Sequence, residues 1–197
     1  MELSEALTDA AARIATVVRG VSPRRLDAAT PCPEYSVRRL INHLLYWSPI
    51  IEEVGLRKTS SPDRRDDGTP DRTVGDWQGE YLGWLDRIVE AWAPAAAWAG
   101  TATVSGRQVP AATIGEKSLV ELVVHGWDLA RGTGQEYRCP DALAHVVKRV
   151  ISDTAEETRA LGMFGPAVRV EGTAAALDQA LAFSGRDPGW RAEPAPV

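Results

Sequence analysis

Glu121 and His125 lie four residues apart in Leu119-Val-Glu-Leu-Val-Val-His-Gly-Trp-Asp-Leu-Ala130, a stretch that is otherwise apolar. At about 100° per residue, helix positions four and seven apart return to within roughly 40° of the start. Glu121, His125 and Asp128 therefore form one polar stripe, with neighbouring Cβ atoms about 5–6 Å apart. A helix apolar on its other faces is largely buried, and a buried carboxylate without partners costs several kcal/mol. Something must compensate that stripe. A divalent metal ion would, because Glu-x-x-x-His offers a carboxylate oxygen and an imidazole nitrogen on one face, as the two histidines of HExxH do. His43 lies on the stripe Leu40, His43, Trp47, Ile50, Val54, at the spacing of a bundle core. Brought in from a facing helix, it would complete a His2Glu set, three protein ligands with a fourth position open, as in catalytic zinc sites.

The same residues admit a plainer reading. Glu121 could pair with Lys117 one turn back, His125 could be polar packing, and His43 could be a core histidine bonded to a backbone carbonyl. Asp128 suits either a hydrogen bond that supports a ligand from behind or a salt bridge to Arg131. His145, beside Leu143, Val146 and Val147, reads as a partly exposed helix residue. Cys32 lies between two prolines, where helix-end N–H groups could lower a thiol pKa, although a small buried side chain fits as well. Arg186 and Trp190 could close over a pocket or simply dock the C-terminus. Gly132-Thr-Gly134 is too short for a phosphate loop, and neither HExxH nor GxSxG occurs.

Long helices must position these groups. Apolar residues at helical spacing predict helices over residues 4–19, 37–57, 74–92, 114–131 and 141–161, with a shorter one over 174–183. Ser36 is the expected cap of the second. Residues 58–72, dense in Ser, Pro, Asp and Arg, read as a solvated loop. Residues 101–110, β-branched around Gly106, read as a small hairpin or an extended crossing. The fold class is all-α, a helix bundle.

Composition narrows the partners. The 197 residues, 44 % apolar and 25 % charged, suit one globular domain. A net charge of −5 with no long basic run argues against electrostatic binding to nucleic acid or an anionic membrane. Two cysteines without a CxxC make no disulfide framework. The first residues are amphipathic, acidic and Ala-rich, unlike a signal peptide, and no apolar run approaches about 18 residues. The expectation is a cytoplasmic protein.

Thr30-Pro-Cys-Pro-Glu-Tyr-Ser-Val-Arg-Arg-Leu-Ile-Asn-His43 resembles a "TPCP-aromatic-S/T-V-x-x-L-x-x-H" signature, and Glu121-Leu-Val-Val-His-Gly-Trp-Asp-Leu-Ala-Arg-Gly-Thr-Gly-Gln135 resembles a second, "E-x-x-x-H-x-W-D-L-A-x-A-T-G". Both are found in an actinobacterial branch of the DinB/YfiT-like superfamily, which includes the metal-binding domain of mycothiol-dependent maleylpyruvate isomerase. Phe164-Gly-Pro and Leu181-Ala-Phe-Ser-Gly-Arg-Asp-Pro-Gly-Trp190 are similar to the closing motif of that branch. Gly132 stands where the pattern usually has Ala, a change expected to be harmless.

The resemblance implies an up-down-down-up four-helix bundle over residues 1–162 with an additional helix, and a C-terminal extension over 163–197 packed on the same domain. It implies a divalent metal, zinc or nickel, held by His43, Glu121 and His125; with that trio as ligands, Asp128 is expected to support them from behind and not to bind the ion. It also implies a thiol cofactor such as mycothiol. The expected activity is thiol transfer or isomerisation on an electrophilic small molecule. The other class left open is a non-catalytic protein binding a metal or a small ligand. Metal-bound hydroxide hydrolysis would need a general base that the sequence does not offer, and a homodimer is left open.

Overall fold

The computed structural model describes residues 1–59 and 70–192, so most of the loop expected over 58–72 lies outside the described residues. Four long helices form the core: α1 (Leu3–Arg19), α2 (Val37–Gly55), α3 (Trp77–Trp92) and α5 (Ala111–Thr133). Each begins and ends for a local reason. Glu2 and Glu5 form a reciprocal capping box at the start of α1. The Ser36 hydroxyl accepts the Arg39 N–H of α2, and the Asp76 carboxylate accepts the Gly79 N–H of α3. That Asp76 cap is why α3 starts at Trp77 rather than at 74. Arg57, at φ 61, is outside helical geometry, so α2 stops at Gly55. Gly134, at φ 75, closes α5 with its N–H on the Arg131 carbonyl.

Hydrogen bonds and packing fix the helix directions. Gln135, after α5, donates to Val17 O near the end of α1, so α1 and α5 run the same way. Gln78, at the start of α3, donates to Val18 O, which makes α3 antiparallel to α1. The Trp92 indole donates to Ile51 O, joining the ends of α3 and α2, which are parallel. Gly132, late in α5, packs on Val37, the first residue of α2. The bundle is up-down-down-up, with α5 between α1 and α2. The core is apolar and Ala-rich, including Ala6, Ile14, Leu40, Ile41, Leu85, Ile88, Trp92, Leu119 and Val123.

Between α3 and α5 lie a short helix, α4 (Ala95–Trp98), which the helical periodicity did not reveal, and a hairpin. The hairpin pairs β1 (Thr101–Val104) with β2 (Arg107–Pro110), Thr101 opposite Pro110. Ser105 and Gly106 both take positive φ, 50° and 75°, the turn geometry that matches strand twist. α6 (Asp141–Ala160) packs on α1 and α5, and α7 (Ala176–Phe183) packs on α6. Among the described residues, no helix is long and apolar enough to cross a membrane.

Gly132 is not a neutral position. A Cβ there would stand 2.9 Å from the Ala29 carbonyl oxygen and 3.0 Å from Val37 Cγ2, because the chain before α2 crosses α5 at that point. Ala would gain about 1 kcal/mol of helix propensity, but overpacking against a backbone oxygen costs about 1–3 kcal/mol. Gly132→Ala is expected to lower stability by about 1 kcal/mol, read as a lower urea midpoint at unchanged slope; a raised midpoint would contradict the packing argument.

Candidate metal centre

His43 lies in the first half of α2 and Glu121 with His125 in the middle of α5, so the antiparallel pair brings them face to face. Glu121 Oε2 is 3.0 Å from His125 Nε2 and 3.3 Å from His43 Nε2. One ligand atom from each of the three residues lies within 4.8 Å of the others. Ligands about 2.0–2.2 Å from a tetrahedral ion are roughly 3.3–3.6 Å from one another. The two contacts to Glu121 are close to that edge length, and two imidazole nitrogens with one carboxylate oxygen are a donor set zinc accepts. His125 is buried, while the Glu121 side chain keeps 31 % of its exposure. Glu121 therefore faces a cavity rather than a sealed core. That cavity, about 180 Å³, is also lined by Cys32, Tyr35, Val124, Met163, Phe164 and Arg186.

Each imidazole is held from its other nitrogen. His125 Nδ1 donates to Asp128 Oδ2 at 3.0 Å, and Arg186 Nη2 donates to the same oxygen at 3.1 Å. Asp128 is fully buried and Arg186 is 6 % exposed. Asp128 thus lies behind His125, on the ring edge away from Glu121. Its expected partner Arg131 is elsewhere: Arg131 lies over the Trp127 ring and donates to Pro188 O. His43 Nδ1 is 3.1 Å from the Tyr35 hydroxyl, and the two rings are 5.0 Å apart.

The proline-rich approach to α2 sets Tyr35 in place. The Thr30 hydroxyl donates to Tyr35 O at 2.7 Å and accepts the Cys32 N–H, while Ala29 and Ser36 form an antiparallel bridge. His145 is exposed, and its Nδ1 donates to Asp141 O one turn back, away from the cluster. Trp190 packs on the core, whereas Arg186 reaches the cavity. Sequence reasoning missed the Tyr35–His43 and Asp128–Arg186 pairs. The only signals were an aromatic eight residues before His43 and an arginine in the closing motif.

Charge in the cluster is strongly coupled. Burial alone would raise the Glu121 carboxyl, but the His125 charge and hydrogen bonds from both histidines hold it well below the ordinary range. Burial opposes the His125 cation, yet the adjacent Glu121 carboxylate and the bond to Asp128 outweigh it and raise His125 to about 9. Burial pushes the Cys32 thiol up, against the opposing Arg186 charge. A buried protonated thiol is a poor nucleophile.

An up-down-down-up bundle with inward His, Glu and His groups on two antiparallel helices defines the class as DinB-like helical bundles. Residues 7–130 match the family described as the mycothiol maleylpyruvate isomerase N-terminal domain, and the chain belongs to that family. A solved structure, that of the mycothiol-dependent maleylpyruvate isomerase, superposes with a TM-score of 0.61 at 16 % identity, covering 89 % of this chain and 78 % of the other. At that identity the likeness shows the fold. No curated protein matches. The family match contains His43, Glu121, His125 and Asp128; Phe164 and Arg186 come from beyond it.

Two outcomes follow for the metal-free protein. Arg186→Ala leaves the buried Asp128 carboxylate with one cation fewer and should cost about 3 kcal/mol or more in chemical denaturation; a loss within about 0.5 kcal/mol would show the pair to be dispensable. His125 titrates at about 9 in the fold against 6.5 when unperturbed, so its contribution is complete below about pH 6.5 and lost as pH rises through about 9. Melting temperature should fall over that window, and His125→Gln should flatten the fall.

Proposed function

We propose that His43, Glu121 and His125 hold a divalent ion, zinc with nickel as the alternative. On this reading the chain is an enzyme of low-molecular-weight thiol chemistry, an S-transferase or isomerase that uses mycothiol or a related thiol. The observation that carries the reading is the convergence of two imidazole nitrogens and one carboxylate oxygen on the wall of a cavity. Family membership supports the thiol part. A structural zinc normally has four protein ligands; among the described residues the set is three, with Asp128 on the far edge of His125, which supports an open position.

A bound ion would supply the positive charge that deprotonates a thiol near neutral pH. The protein's own groups do the rest. Glu121 offsets one unit of charge, and Asp128 with Arg186 fixes the His125 ring. Val120, Val124, Met163 and Phe164 give the cavity an apolar wall that keeps water from the reacting sulfur. About 180 Å³ is below the roughly 300–1,000 Å³ that encloses a drug-sized ligand. The cavity therefore takes the thiol end of a cofactor and the electrophilic atom of a substrate, with the remainder of both outside. Phe164 and Arg186 make the segment after residue 162 part of the same working unit.

Metal analysis of the purified protein, followed by titration with mycothiol and with glutathione, tests the reading. One equivalent of metal is expected, and His125→Ala and Glu121→Gln should lose metal and thiol-dependent turnover together. Because the ion must displace a proton from His125, affinity should rise with pH up to about 9. Turnover retained in His125→Ala with metal verified absent would place the chemistry elsewhere.

A further inference from the structure

Far from the metal centre, the outer side of the α1–α3 pair carries a groove of about 620 Å³, lined by those two helices alone. Its floor is apolar: Ala11, Ala15 and Leu85 are buried, and Leu82 and Val89 are half-buried. We infer that this groove is where two copies of the chain meet. α1 lies antiparallel on α1 of the second copy, with Ala12 on the two-fold axis.

The pattern of exposed residues carries the inference. Those of α1 are Glu5, Thr8, Ala12, Thr16 and Arg19. Counted outward from Ala12, a threonine stands four positions away on each side, and opposite charges stand seven positions away. A two-fold contact requires such a pattern, because whatever residue i meets must meet i in return. With the helices antiparallel, Thr8 meets Thr16 and Glu5 meets Arg19, each pair occurring twice. A parallel arrangement would set Arg19 on Arg19 and Glu5 on Glu5, and like charges facing each other reject it.

α3 strengthens both ends. Gln78 donates to Val18 O at 3.0 Å, and α3 runs back along α1 from there. At equal rise, Asp86 comes level with about residue 10 and Glu90 with about residue 6. Arg19 of the second copy therefore arrives between Glu5 and Glu90, with Asp86 one turn further in. Among the described residues, Arg19, Asp86 and Glu90 make no ion pair within their own chain. The Thr8 and Thr16 hydroxyls donate to Ser4 O and Ala12 O one turn back, so neither needs a new partner. A methyl side chain on the axis lets the two α1 helices approach to about 8 Å. Covering the floor of the groove supplies the driving force, and the charges at its ends set the direction.

Sedimentation equilibrium of the full chain reads the association. The wild type should be a dimer at micromolar concentration, loosening as salt is raised. Arg19→Glu should raise the dissociation constant about tenfold or more. Adding Glu90→Arg to that variant should recover about threefold or more of the loss. Ala12→Arg, a change at an exposed position, should give a monomer with unchanged helical circular dichroism. A wild type that stays monomeric, whatever else binds the groove, would overturn the inference. So would a dimer that neither Ala12→Arg nor Arg19→Glu loosens. Should Ala12→Arg fail to fold, Arg19→Glu and its Glu90→Arg partner decide. Metal content should be the same in monomer and dimer, so the metal reading stands or falls separately.

Discussion

Taking the Asp128 carboxylate out of water costs several kcal/mol unless cations face it, and this site is fully buried in the last third of α5. Two cationic groups meet the requirement, His125 one turn earlier on the same helix and Arg186 from the segment after α7. Much of the arrangement depends on that demand. It fixes the His125 ring, turns Nε2 toward Glu121, and draws the C-terminal segment onto the bundle. Together with the Glu121 carboxylate, which contributes more, it raises His125 well above its ordinary titration range.

The opposite wall is set by a loop rather than by a charge. The chain ahead of α2 is folded back by the Ala29–Ser36 bridge and the Thr30 hydroxyl, and it crosses α5 so closely that Gly132 has no room for a methyl group. That crossing aligns the start of α2 with the C-terminal half of α5, which decides how far His43 stands from Glu121. One histidine is thus located by electrostatics and the other by steric fit.

Periodicity made the bundle legible: four long amphipathic stretches, and one helix apolar all round except for Glu121, His125 and Asp128. That Glu121, His125 and Asp128 share one face follows from helix geometry alone; that His43 stands opposite them was implied by the family resemblance and not by spacing. What spacing could not convey was the partner of Asp128. Local reasoning offers Arg131, three residues on, but that side chain leaves along the Trp127 ring, and the cation that joins His125 on Asp128 is 58 residues distant. The Tyr35–His43 contact was hidden likewise, since nothing in the spacing says that this hydroxyl reaches an imidazole eight residues on. That Gly132 leaves no room for the usual Ala was not legible, because the segment that crosses α5 there is brought in by the fold and not by local sequence.

The sequence distance between Asp128 and Arg186 also bears on how the protein is made. When α5 has left the ribosome, the bundle holds all four of its long helices, yet its central carboxylate still lacks the second cation. The arginine arrives only after α6 and α7 have been synthesised and the last segment has folded back. Until then the polar stripe is open to water on the side that Phe164 later covers, and the half-made chain has reason to stay loose around α5. The cavity can close only once residues 164 and 186 have both been made and brought back onto α5.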